Sequence, residues 1–138
     1  MEPDEPEWTS VLSAHRVPRL IPGIAARFSD AGVAPSLVAC TLADPTGFIA
    51  ASTEGPDWAD RYGGPIAAAL IAAELLEHTA ARQLAVAGIR SGLVADLVVE
   101  TSVVETAKQL GISHQHTSRL SKAGSLGPAL RTLVRKGL

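Results

Sequence analysis

Between Ser102 and Leu120 two helix starts lie eleven residues apart with a glycine between them, and this spacing restricts the fold more tightly than any other feature of the chain. Thr101 or Ser102 is placed to cap a first helix, and Glu105 follows Ser102 at the spacing of a capping box. Ala107 sits where a second helix must cross closely, which only a small side chain allows. Gly111 supplies the left-handed backbone conformation that reverses a chain within three residues. Ser113 is placed to cap the second helix. Leu110 and Ile112 are expected to bury themselves on either side of the turn, with Leu120 anchoring the inner face of the second helix.

The rest of the chain agrees with a mainly α protein. Of its 138 residues 46% are hydrophobic but only 4% aromatic, so the core must be built from Ala, Val, Leu and Ile. Such small side chains favour closely packed helices. Charge is unevenly spread. From Thr101 onward six basic residues face one acid, a net of +5, while the first hundred residues carry six bases and thirteen acids, a net of −7. A basic segment on an acidic body suggests one face meant for a polyanion. Cys40 is alone, so no internal disulfide forms, and its apolar setting suggests a buried, inert thiol. The start of the chain lacks the basic and apolar runs of a signal peptide, and the apolar stretch from Pro65 to Ala73 is too short to span a bilayer. A cytoplasmic protein with no membrane partner is expected.

Residues 1–8 read as a disordered acidic tail and 9–90 as an assembly or sensing body. Weak helical patterns cover Thr9 to Leu20 and Ile24 to Phe28. Residues 36–53 consist of two apolar runs flanking Asp44-Pro45-Thr46-Gly47, whose Pro and Gly suit a tight turn, and they read as a small β-hairpin. The competing reading is two short helices broken at Asp44-Pro45. After a loop holding Trp58 and Tyr62, a long helix is expected over 65–88, starting on Pro65 and ending at Gly88 or Gly92. Its apolar residues, Ile66, Ala69, Leu70, Ala73, Leu76, Ala80, Leu84 and Ala87, recur at three- and four-residue steps. That stripe suits a core helix, or one that also packs on its copy in a dimer. Residues 91–138 read as a separate unit. In it a helix from Gly92 to Val99, with Leu93 and Leu97 on its inner side, backs the two capped helices, and a short last helix follows Gly124.

The segment Thr101 to Leu120 resembles the helix-turn-helix family of bacterial DNA-binding regulators, through its Ala-x-x-x-Gly spacing, its Leu110-Gly111-Ile112-Ser113 turn and its Thr117-Ser118-Arg119-Leu120 ending. Thr117 departs from the family, which usually places Val or Ile there. The resemblance implies a C-terminal three-helix DNA-binding domain whose second capped helix lies in the major groove. It assigns Ser113, His114, Gln115, Ser118 and Arg119 to the outward face. Gln115 is suited to adenine and Arg119 to guanine or a phosphate, with Lys108, Lys122 and Arg131 on phosphates. The expected partners are double-stranded DNA and a second copy of the chain, since one motif reads only a few base pairs. The stretch Leu42 to Ser52 also resembles the hairpin-bearing sensory modules of the GAF and roadblock type, implying an assembly or sensing role.

No catalytic group is expected. His114 and His116, two residues apart on a helix, point in different directions and cannot share a metal ion. His15 and His78 read as isolated structural or surface residues, and Gly63-Gly64-Pro65 lacks the lysine and spacing of a phosphate loop. No cofactor is called for. Two other roles stay open: a protein-interaction module that docks a partner through the C-terminal helical corner, and a ligand-gated regulator holding an effector near Trp58.

Overall fold

The computed structural model describes residues 5 to 125, and every regular element among them is helical. The α-helices are α1 (Glu5–Leu12), α2 (Ile21–Asp30), α3 (Pro35–Ala43), α4 (Thr46–Ala51), α5 (Pro65–Glu100), α6 (Val103–Leu110) and α7 (His114–Ser125). Single 3-10 turns cover Pro18–Leu20 and Trp58–Tyr62. The chain divides into two compact units, Met1–Ala80 and Ala81–Leu138, with the boundary inside α5. No helix among the described residues is long and apolar enough to cross a membrane.

The first unit is built around Trp8, which stacks on Phe28 with ring centroids 5.0 Å apart. Trp8, Leu12, Phe28, Val38 and Ile71 are almost completely buried and tie α1, α2, α3 and α5 into one core. Glu5 to Trp8, expected to belong to a disordered tail, are therefore the first turn of α1, ordered because Trp8 is a core residue. Residues 1–4 of that tail lie outside the described residues.

The β-hairpin expected over 36–53 is replaced by α3 and α4. Pro35 occupies the first turn of α3, where its missing N–H costs nothing, and Val38, Thr41 and Leu42 are buried at helical spacing. The Thr41 hydroxyl donates to the Leu37 carbonyl one turn back at 2.8 Å, satisfying the buried polar group within the helix. Asp44 and Pro45 then break the chain, and the Asp44 carboxylate accepts from the Thr46 amide at 3.1 Å to open α4. Cys40 points outward from α3 and is exposed, contrary to the buried thiol its apolar neighbours suggest. The likeness of Leu42 to Ser52 to hairpin-bearing sensory modules loses the strands it depended on.

A buried ionic cluster lies within the same unit. Glu74, only 2% exposed, accepts from His15 Nε2 at 2.8 Å and from Arg16 through Nη2 at 2.6 Å and Nε at 3.2 Å. His15 and His78, which read as isolated in sequence, meet edge to face with centroids 5.2 Å apart.

The long helix expected over 65–88 continues without a break to Glu100. Gly88 and Gly92 each weaken a helix by about 1 kcal/mol. Burial of Ser91, Gly92, Val94 and Ala95 in the second unit compensates for that weakness. The short last helix expected after Gly124 falls on residues outside the described ones, apart from Ser125, which is the end of α7.

Candidate nucleic-acid interface

Among the described residues the second unit holds the C-terminal part of α5 with α6 and α7. Ser102 sits in an extended conformation and its hydroxyl accepts from the Glu105 amide at 3.0 Å, which starts α6. At the other end Gly111 adopts φ 69° and ψ 33°, and the amides of Gly111 and Ile112 both donate to the Ala107 carbonyl. These bonds satisfy the end of α6 and turn the chain. Ser113 Oγ then accepts from the His116 amide at 3.0 Å and caps α7. Replacing Gly111 with Ala forces a Cβ into the left-handed region and should cost about 1 kcal/mol. Urea unfolding would measure it, and a gain in stability would contradict the turn geometry.

Thr117 is completely buried, and its hydroxyl donates to the Ser113 carbonyl at 2.9 Å, so the buried polar group is satisfied within the helix. Thr106 is 1% exposed, and its Oγ1 lies 3.3 Å from Thr101 Oγ1, which in turn donates to the Leu97 carbonyl. Sequence reasoning did not single out Thr106. The packing of α7 on α5 was also missed. It depends on Gly124, whose absent side chain leaves room for the Ser91 backbone and the Ala95 methyl. Nor does Leu93 cover the back of this unit: it is 58% exposed, and Val94 and Ala95, one step around the helix, are buried instead. Leu110, expected in the turn's core, is 45% exposed.

The expected interface residues fall into a consistent pattern. Thr117, Leu120 and Gly124 form the buried side of α7. On the opposite side Gln115, Arg119 and Lys122 are exposed, with Ser118 half-buried among them, because steps of three, four and seven residues align on a helix. Ser113 and His114 are exposed at the start of α7, and Lys108 is exposed on α6. Arg131 lies outside the described residues. Among the described residues Lys108, His114, Gln115, Arg119 and Lys122 make no side-chain hydrogen bond or ion pair. The one acid of the corner, Glu105, is on α6, where its carboxylate accepts from Gln109. The outer side of α7 thus presents amide, hydroxyl and guanidinium donors with no nearby carboxylate on that helix. No group of three metal-ligating side chains occurs among the described residues.

In the first unit an open apolar groove of about 310 Å³ runs beside Phe48, Pro56, Trp58 and Ala68. Phe48 and Trp58, which line it, pack edge to face on each other and on Tyr62. Among the described residues no charged side chain lines this groove. No family model, no curated protein and no solved structure matches the chain.

Proposed function

We propose that this chain binds double-stranded DNA as a homodimeric helix-turn-helix regulator, with α7 as the helix that enters the major groove. The observation that carries this reading is the two-sidedness of α7. Thr117, Leu120 and Gly124 hold it to its unit, while Gln115, Arg119 and Lys122 stand exposed and unengaged along the opposite side. An amide and a guanidinium one turn apart suit the paired donors and acceptors of adenine and guanine edges. Ser113, His114 and Ser118 border the same stripe. Lys108 and Lys122 meet phosphates, which fixes register without reading sequence, and Arg131 extends the basic segment. Useful specificity needs two such corners on a two-fold related site. The chain has no catalytic role in this reading, and it acts in the cytoplasm, where bacterial DNA is reached.

Fluorescence anisotropy with duplex DNA tests the proposal. Binding should weaken steeply with salt, and Lys122→Ala should reduce the logarithmic salt slope by about 1. Gln115→Ala and Arg119→Ala should each cost about 1–3 kcal/mol on the preferred site. Folded protein that binds no duplex at low salt removes the proposal. Unchanged affinity in the Gln115→Ala/Arg119→Ala double variant moves the weight to the rival role, docking of a partner protein through the same corner.

A further inference from the structure

On the side of α5 away from α7, one row of large apolar side chains is exposed among the described residues. Ser91, Val94 and Ala95 are buried in the second unit, whereas Val86, Ile89 and Leu93 are 63%, 53% and 58% exposed. Steps of three and four residues put these three, and the half-buried Leu97, on one face. Arg82 lies at the N-terminal end of that row, and Asp96 and Glu100 lie at its C-terminal end. All three charged side chains are exposed, and among the described residues none makes a hydrogen bond or ion pair. A contiguous apolar patch framed by unpaired charges marks an interaction surface.

We infer that this face is a self-complementary interface on which α5 of a second copy lies antiparallel. The charges select the direction. Parallel pairing sets Arg82 against its own copy and Glu100 against its own copy. Antiparallel pairing about Ser91 instead brings Ile89 onto the partner's Leu93 and Arg82 toward the partner's Asp96 and Glu100. The two-fold axis repeats each contact, so two ion pairs about 27 Å apart bracket one apolar seam. Interdigitation of Val86, Ile89 and Leu93 with their copies follows the knobs-into-holes pattern of paired helices. Arg90 borders the seam, where its aliphatic stem covers apolar surface while its guanidinium stays in water. Because α7 occupies the other side of α5, the stripe of Gln115, Arg119 and Lys122 stays open. The inference rests on the proposed DNA-binding role for its need of two copies, and on the charge order along α5 for its geometry.

Sedimentation velocity of the full chain across micromolar concentrations, without DNA, tests it. The wild type should be a dimer. Leu93→Glu should be a monomer with unchanged circular dichroism, since that side chain is already in solvent in a single copy, and its thermal midpoint should not depend on concentration, unlike that of the wild-type dimer. Arg82→Glu and Glu100→Arg should each raise the dimer dissociation constant about tenfold, and the double exchange should restore it. A monomeric wild type, a Leu93→Glu dimer, or a double exchange that fails to recover would overturn the inference. A dimer with this behaviour that binds no duplex keeps the interface and removes the DNA-binding proposal, whereas a monomer that binds duplex does the reverse.

Discussion

Gly124→Ala should lower stability by about 3 kcal/mol, although the same exchange inside an ordinary helix raises it by about 1 kcal/mol. The sign changes because of what the methyl group would meet. A Cβ built on Gly124 falls inside contact distance of the Ser91 carbonyl group and 2.9 Å from the Ala95 Cβ. Two of the three nearest atoms belong to the backbone of a helix, so they cannot rotate aside as a long side chain would. Either α7 lifts from α5 or both helices distort, and the burial of Thr117 and Leu120 is lost in part. Overpacking of this kind normally costs a few kcal/mol. Urea unfolding monitored by circular dichroism would measure the loss. A variant as stable as the wild type would mean that the two helices do not approach at this glycine.

Glu74→Ala should destabilise the first unit by about 3 kcal/mol, the lower end of what removing one partner of a buried ion pair costs. The carboxylate is buried and takes three hydrogen bonds from two neighbours, so its removal strands His15, whose side chain is fully buried, and leaves Arg16 without its main partner. Nδ1 of His15 already lacks a hydrogen-bond partner among the described residues, so loss of Nε2's partner would leave both ring nitrogens unpaired. Glu74→Gln keeps an acceptor in place and should cost less.

The same cluster sets an acid limit. Burial pushes the Glu74 carboxyl upward, but hydrogen bonds from His15 and Arg16, and the charge of Arg16, outweigh it and hold the carboxyl below its ordinary value of 4.5. The hydrogen bond with Glu74 also raises the Arg16 guanidinium, which stays charged throughout the acid range. The folded state therefore binds this proton less readily than the unfolded state. The stabilisation is complete above the unfolded carboxyl value and disappears as pH falls through the lower folded value. Urea midpoints taken from neutral pH downward should decline on entering that range. The decline should be shallower in Glu74→Gln, and an equally steep decline would place the acid sensitivity elsewhere.

How much of this was legible in the sequence depended on whether a signal was local. The caps at Ser102 and Ser113 and the turn at Gly111 involve residues within five positions of one another, and all three appear as expected. The run Ser36 to Ala43 was misread because almost every residue in it is apolar or small, which hides whether the period is two or 3.6. Pro35 at a helix start and Thr41 bonded to Leu37 decide for the helix, yet both are visible only once α3 packs through Val38 and Leu42. Gly88 and Gly92 looked like stops because their cost is local, while the burial that compensates it comes from residues far along the chain. Glu74 paired with His15 and Arg16 spans nearly sixty positions, and no spacing rule reaches that far. On α7 the outward residues followed from the family resemblance, and helical steps of three and four residues put Gln115, Arg119 and Lys122 together on the exposed side. The crossing at Gly124 could not be read from sequence, because it needs the position of Ser91.

The DNA-binding proposal requires that the outer side of α7 read bases in the major groove. Selection of duplexes from a random pool, followed by methylation interference on the enriched site, examines this in one measurement. The expected result is an inverted repeat in which methylating guanine N7, an atom exposed only in the major groove, blocks binding in both halves, with the effect lost in Arg119→Ala. Enrichment of no sequence, or binding indifferent to N7 methylation in every position, would contradict it.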